Sequence, residues 1–69
     1  MMPQINLKLI KELREERGFS QQEMANYLHL SGGDKYSRRE NGVYNFKASE
    51  LPLLAKKLGV SIERLFKNF

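Results

Sequence analysis

The sequence predicts an all-α fold, a compact bundle of five short helices forming one domain over residues 1–69. Three observations carry this expectation. Gly18, Gly42 and Gly59 stand where helical runs should stop, at the position where a left-handed backbone costs glycine nothing. Asn6, Ser20 and Ser61 stand where helices should start, with side chains able to accept from the unpaired N–H groups of a first turn. Between these marks the apolar residues recur at helical spacing, and no alternating strand pattern of useful length occurs.

Helix 1 is expected at about 6–17, with Ile10, Leu13 and Arg17 on one face and Leu9 flanking it. Its outer side carries Lys8, Lys11, Glu12, Glu15 and Glu16, the pattern of a solvated i,i+4 charge ladder. Helix 2 is expected at 20–28, capped by Ser20, with Met24, Ala25 and Leu28 facing inward. Helix 3 is expected at 33–41, stopped by Gly42. Residues 42–48 then form a loop in which Phe46 tucks inward while Tyr44, Asn45 and Lys47 face a partner. Helix 4 is expected at 50–58. With Ser49 as its cap, Pro52 falls in the first turn, where its missing N–H would have had no partner anyway. Leu51, Leu54, Ala55 and Leu58 make its stripe, and Ile62, Leu65, Phe66 and Phe69 repeat that spacing in helix 5, expected at 61–67. Phe19, Leu30 and Val60 lie between helices and should plug the core.

Composition narrows the function. A chain of 69 residues buries only ~60% of its surface on folding. With no cysteine and one histidine, disulfides and a His/Cys zinc site are excluded, and no cofactor is implied. Met1-Met2-Pro3-Gln4 leads straight into an amphipathic pattern, unlike a signal peptide, and the apolar runs are too short to span a membrane. A soluble cytoplasmic protein is the expectation. The net charge of +4 is unevenly spread. Residues 1–34 hold four basic side chains against five acidic, and residues 35–69 hold eight against three. That asymmetry suits a nucleic-acid surface on one side of the domain.

Helix 3 concentrates the signal. Tyr36 and Glu40 fall on its inner face with Arg39 beside them, while Asp34, Lys35, Ser37 and Arg38 point outward. The outer set holds the donors and acceptors that read base edges: arginine pairs with guanine O6 and N7, and a carboxylate accepts from cytosine N4. Two short helices joined by a tight turn, the second offering Lys and Arg outward, describe a helix-turn-helix. Ser20-Gln21-Gln22-Glu23-Met24-Ala25 followed by Tyr36-Ser37-Arg38-Arg39-Glu40-Asn41-Gly42 resembles the Cro/repressor (XRE) family of bacterial and phage regulators. The resemblance implies a lambda-repressor-like domain that binds double-stranded DNA with helix 3 in the major groove of a palindromic operator, acting as a repressor. It also implies that Gln21 touches backbone phosphate from the start of helix 2, where the helix dipole favours an anion. Gln22, Asn41, Tyr44, Asn45 and Lys47 complete the expected phosphate contacts.

The turn departs from the family pattern. His29 stands where a glycine is usual, a tolerable choice because histidine accepts positive φ better than most residues. Ser31-Gly32-Gly33-Asp34 is one residue longer than the commoner spacing, which leaves the register of base contacts open by one position. No Gly-Lys-Ser/Thr follows, so this is not a phosphate-cradling loop.

Arg14 on the apolar face of helix 1 and Glu40 on the buried face of helix 3 are expected to pair, because an unpaired buried charge is very costly. An enzyme is disfavoured, as the single imidazole and the absent thiol leave no nucleophile with a base nearby. An antitoxin or adaptor using the same fold to grip a protein is the rival reading. Met1 and the ending at Phe69 suggest a complete small protein, an isolated domain of a longer regulator being the alternative. The expected working form is a homodimer assembled through Phe66 and Phe69, unless Phe69 folds back onto helix 1 beside Leu7 or Leu9.

Overall fold

A computed structural model describes residues 4–67. Four helices, Leu7–Glu16 (α1), Gln21–Tyr27 (α2), Gly33–Glu40 (α3) and Glu50–Leu58 (α4), follow a short strand Gln4–Ile5 (β1). A 3₁₀ turn, Ile62–Leu65, and a second strand, Phe66–Lys67 (β2), complete the chain. The strands pair antiparallel, with Gln4 opposite Lys67 and Ile5 opposite Phe66.

The first four helices lie where the caps and glycines place them. The fifth does not form as an α-helix, which corrects the expectation for 61–67. The Leu65 carbonyl instead accepts from Asn6 N–H at 2.7 Å, and the chain beyond it pairs with β1. A helix of two turns is marginal by itself, so a ladder to the start of the chain takes those backbone groups. The all-α reading therefore gains a small two-stranded sheet.

All four helices stop in the same way. A residue of positive φ closes each, as the cap itself at α4 and one residue past the cap in the other three: Gly18 at 74°, His29 at 62°, Gly42 at 82° and Gly59 at 72°. Its N–H bonds back three residues, and the next N–H bonds back five: Phe19 to Arg14, Leu30 to Ala25, Val43 to Arg38 and Val60 to Ala55. This paired bonding satisfies the last carbonyls of each helix. Starts are less uniform. Asn6 accepts from Leu9 N–H, and Ser20 and Glu23 form a reciprocal capping box. Ser49 and Ser61 make no side-chain cap bond. At α4 the Glu50 carboxylate takes the Lys47 N–H instead, so the expected Ser49 cap is replaced by a residue inside the helix.

Ile10 and Leu13 of α1, Met24, Ala25 and Leu28 of α2, Tyr36 of α3, Phe46 of the loop, Leu54, Ala55 and Leu58 of α4, and Leu65 form one buried core. Each large aliphatic side chain in such a core contributes ~1.5–3 kcal/mol by leaving water. Phe19, Leu30 and Val60 plug its edges. On α1 the inward charged residue is Arg14, whereas Arg17 is exposed, contrary to its expected place on the apolar face.

Candidate nucleic-acid interface

The interface is built on the junction of α2 and α3. Ser20 Oγ accepts from Glu23 N–H at 3.0 Å, and Glu23 returns the bond to Ser20 N–H at 3.0 Å. That backbone bond holds the exposed Glu23 carboxyl below its usual range. Two residues along, Gln22 Oε1 accepts from Gly33 N–H at 3.0 Å, and Gln22 Nε2 donates to Asn26 at 2.9 Å. A methyl group on Gly33 would meet the Gln22 backbone at 3.4 Å and Oε1 at 3.2 Å, so the glycine allows α3 to start against α2. Gln22 thus joins the two helices through its amide. Gln21 is half-buried and its side chain reaches the Glu40 carboxylate.

Behind α3 stand two ion pairs. Arg14 Nε donates to Glu40 Oε2 at 2.9 Å and Arg14 Nη2 to Glu40 Oε1 at 3.0 Å, a two-point pairing, while Nη1 donates to the Phe19 carbonyl at 2.9 Å. The Glu40 side chain is 1% exposed. Burial by itself would raise its carboxyl, but the bonds and charge of Arg14 outweigh this and hold it below the usual value. Its bond to Glu40 likewise raises the Arg14 guanidinium. The Tyr36 hydroxyl is buried beside this pair, and burial together with the adjacent Glu40 carboxylate pushes the phenol up. Its ring meets Phe46 edge-on, with centroids 6.0 Å apart.

The second pair was not legible as a pair. Arg39 Nε donates to Glu50 Oε1 at 2.9 Å and Arg39 Nη1 to the Lys35 carbonyl at 3.0 Å. The same Glu50 oxygen accepts Lys47 N–H at 2.9 Å. One carboxylate therefore ties α3, the following loop and the start of α4 together. A signal did exist: Glu50, Leu54 and Leu58 share the buried stripe of α4, and Arg39 shares the inner face of α3 with Tyr36. Lys57 is also internally engaged, its Nζ 4.2 Å from the Phe19 ring centroid and 5.3 Å from that of Tyr27.

The opposite face of α3 is open. Asp34 and Arg38 are exposed, and Lys35 and Ser37 are half-exposed. The Asp34 carboxylate folds over Gly32, where an added methyl would lie 2.7 Å from Oδ1. Asn41 Nδ2 donates to Ser37 Oγ at 3.3 Å. In the loop, Asn45 and Lys47 are exposed, Tyr44 is 49% exposed and Val43 66%. The Arg38 guanidinium lies over the Tyr44 ring, 5.8 Å from its centroid. The structure thus brings Ser37, Arg38, Asn41 and Tyr44 together, while Arg14 and Glu40 support them from behind. Phe66 packs partly buried against the core in β2, and Phe69 lies outside the described residues.

Among the described residues no group of three His, Cys, Asp or Glu side chains could hold a metal ion. None of the described helices is long and apolar enough to cross a membrane. No curated protein matches the chain. The profile of a family described as a helix-turn-helix domain matches residues 8–68.

Proposed function

This chain belongs to the helix-turn-helix domain family, of the Cro/repressor (XRE) type, and we propose that it is a sequence-specific regulator of transcription that binds double-stranded DNA. The observation that carries the reading is the two-sidedness of α3. Its inner face is bound by two buried ion pairs, and its outer face offers Asp34, Lys35, Ser37 and Arg38 with Lys47 on the adjoining loop. Among the described residues, Lys35, Arg38 and Lys47 have no acidic partner within 4.0 Å, so their charge remains available to a polyanion. In this reading Arg38, Lys35, Ser37 and Asp34 reach base edges, and Gln21, Asn41, Asn45 and Lys47 approach phosphates.

A single module covers only ~600–1,000 Å² on DNA, little for the ~10⁻⁸–10⁻¹¹ M affinity of a specific regulator. Two copies on a palindrome, with α3 helices ~34 Å apart, supply the remainder. Repression follows if that site overlaps a promoter.

Selection of bound sequences from random duplexes tests the proposal. It should yield one palindromic motif whose affinity falls steeply with salt. Replacing Arg38 by Ala should cost ~1–3 kcal/mol and relax preference at one position, while Lys47→Ala weakens all duplexes alike and lowers the salt slope by ~1. A chain that selects no motif, shows no salt dependence and co-purifies with one protein partner would be an adaptor instead.

A further inference from the structure

The geometry points to Tyr44 as a positioning residue for base recognition, holding the Arg38 guanidinium over its ring so that the N–H donors of Arg38 are presented to a guanine. This rests on the reading of α3 as the base-reading helix. The three arginines of the inner structure and α3 show the contrast. Arg14 and Arg39 have their N–H edges occupied by Glu40 and Glu50. Arg38 has no acidic partner within 4.0 Å among the described residues, and instead lies over the Tyr44 ring. An aromatic ring, unlike a carboxylate, does not take up the planar fork of N–H donors, and that fork is what matches guanine O6 and N7.

The arrangement is built into the backbone. Gly42, at a φ of 82°, turns the chain back on the end of α3. The Arg38 carbonyl then accepts both Val43 N–H at 2.8 Å and Tyr44 N–H at 3.1 Å. The residue that carries the ring is thereby tied to the backbone of the residue that carries the guanidinium. At the other three helix ends the residue next after the positive-φ position, Phe19, Leu30 or Val60, packs on the core. At α3 that residue, Val43, is 66% exposed. Here the turn holds a surface in place rather than sealing the interior. Tyr44 keeps half its area exposed, which suits a contact made at the edge of the interface.

A double-mutant cycle on the selected duplex separates this role from that of a phosphate donor. Tyr44→Ala should lower the ratio of specific to non-specific affinity by about two- to fivefold, the range of an exposed cation–π contact. Tyr44→Phe should leave that ratio unchanged, since the ring and not the hydroxyl acts. In the Arg38→Ala background, Tyr44→Ala should have no further effect on the ratio. Uniform weakening of all duplexes by Tyr44→Phe, or full additivity of the two alanine changes, would overturn the positioning role while leaving Arg38 as reader. An unchanged motif in Arg38→Ala would overturn both. Proton NMR of the free protein checks the contact without DNA. The Arg38 side-chain protons should move on Tyr44→Leu and stay on Tyr44→Phe, and resonances indifferent to the ring would exclude the contact.

Discussion

Glu40 has the more deeply buried carboxylate of the two internal ion pairs, and its compensation comes from Arg14. Cutting it to alanine leaves a buried guanidinium without its counter-charge, so Glu40→Ala should destabilise by ~3–5 kcal/mol in urea melts. The pH dependence has a definite sign. A carboxyl held below its unfolded value contributes stability that is fully present above ~pH 4.3 and is lost as pH falls through the lower folded value. Wild type should therefore lose stability in acid faster than Glu40→Gln, measured as denaturant midpoint against pH.

Elements join through their ends more than their middles. Gly33 and His29 bracket the turn between α2 and α3. A methyl at Gly33 meets the Gln22 amide oxygen at 3.2 Å, tighter than ordinary contact, and touches the α2 backbone at 3.4 Å, so Gly33→Ala should both lower stability and shift α3 on α2. Amide chemical-shift changes centred on Gln22 and Arg38 would report that shift. His29 adopts a left-handed φ of 62°, a conformation that costs a non-glycine residue ~1–3 kcal/mol. Part of that cost returns on replacement by glycine, less the larger unfolded-state entropy of glycine. His29→Gly should thus raise the melting temperature modestly, and His29→Val should lower it, since a branched Cβ suits positive φ worst.

The whole molecule is closed by its two strands. Removal of residues 66–69 deletes the partner of β1 and uncovers part of the core beside Ile5. For a domain this small each lost kcal/mol lowers the melting temperature by ~4–8 °C, so the truncated chain should melt well below the intact one yet keep the α2–α3 junction. Sedimentation at micromolar concentration tests the proposed pairing of copies: a dimer in the intact chain and a monomer in the truncated one would place the contact at these strands. A monomer in both, binding the palindrome two at a time, would place dimer formation on the DNA.

Local signals were enough for the four helices, because caps, glycine stops and a 3.6-residue apolar period each act within a few residues of chain. They were also enough to orient α3, and to set Arg14 opposite Glu40, since a charge on an apolar stripe requires a counter-charge. They failed for residues 61–67, whose apolar spacing reads as helix. There the decision belongs to β1, some sixty residues away, which supplies backbone partners that a two-turn helix cannot supply for itself. They did not identify the partners of Gln22 and Glu50, polar side chains that reach hydrogen-bonding groups outside their own helix. Only the approach of α3 to α2 turns Gln22 toward Gly33, and only the folding of the loop brings Lys47 N–H and Arg39 to one Glu50 oxygen. The sequence determined by itself which segments are helical and which faces are apolar, because those depend on near neighbours. The tertiary structure alone decided that Gln22 accepts from Gly33 and that one Glu50 oxygen gathers Arg39 and the Lys47 N–H, because such partners are chosen by distance in space.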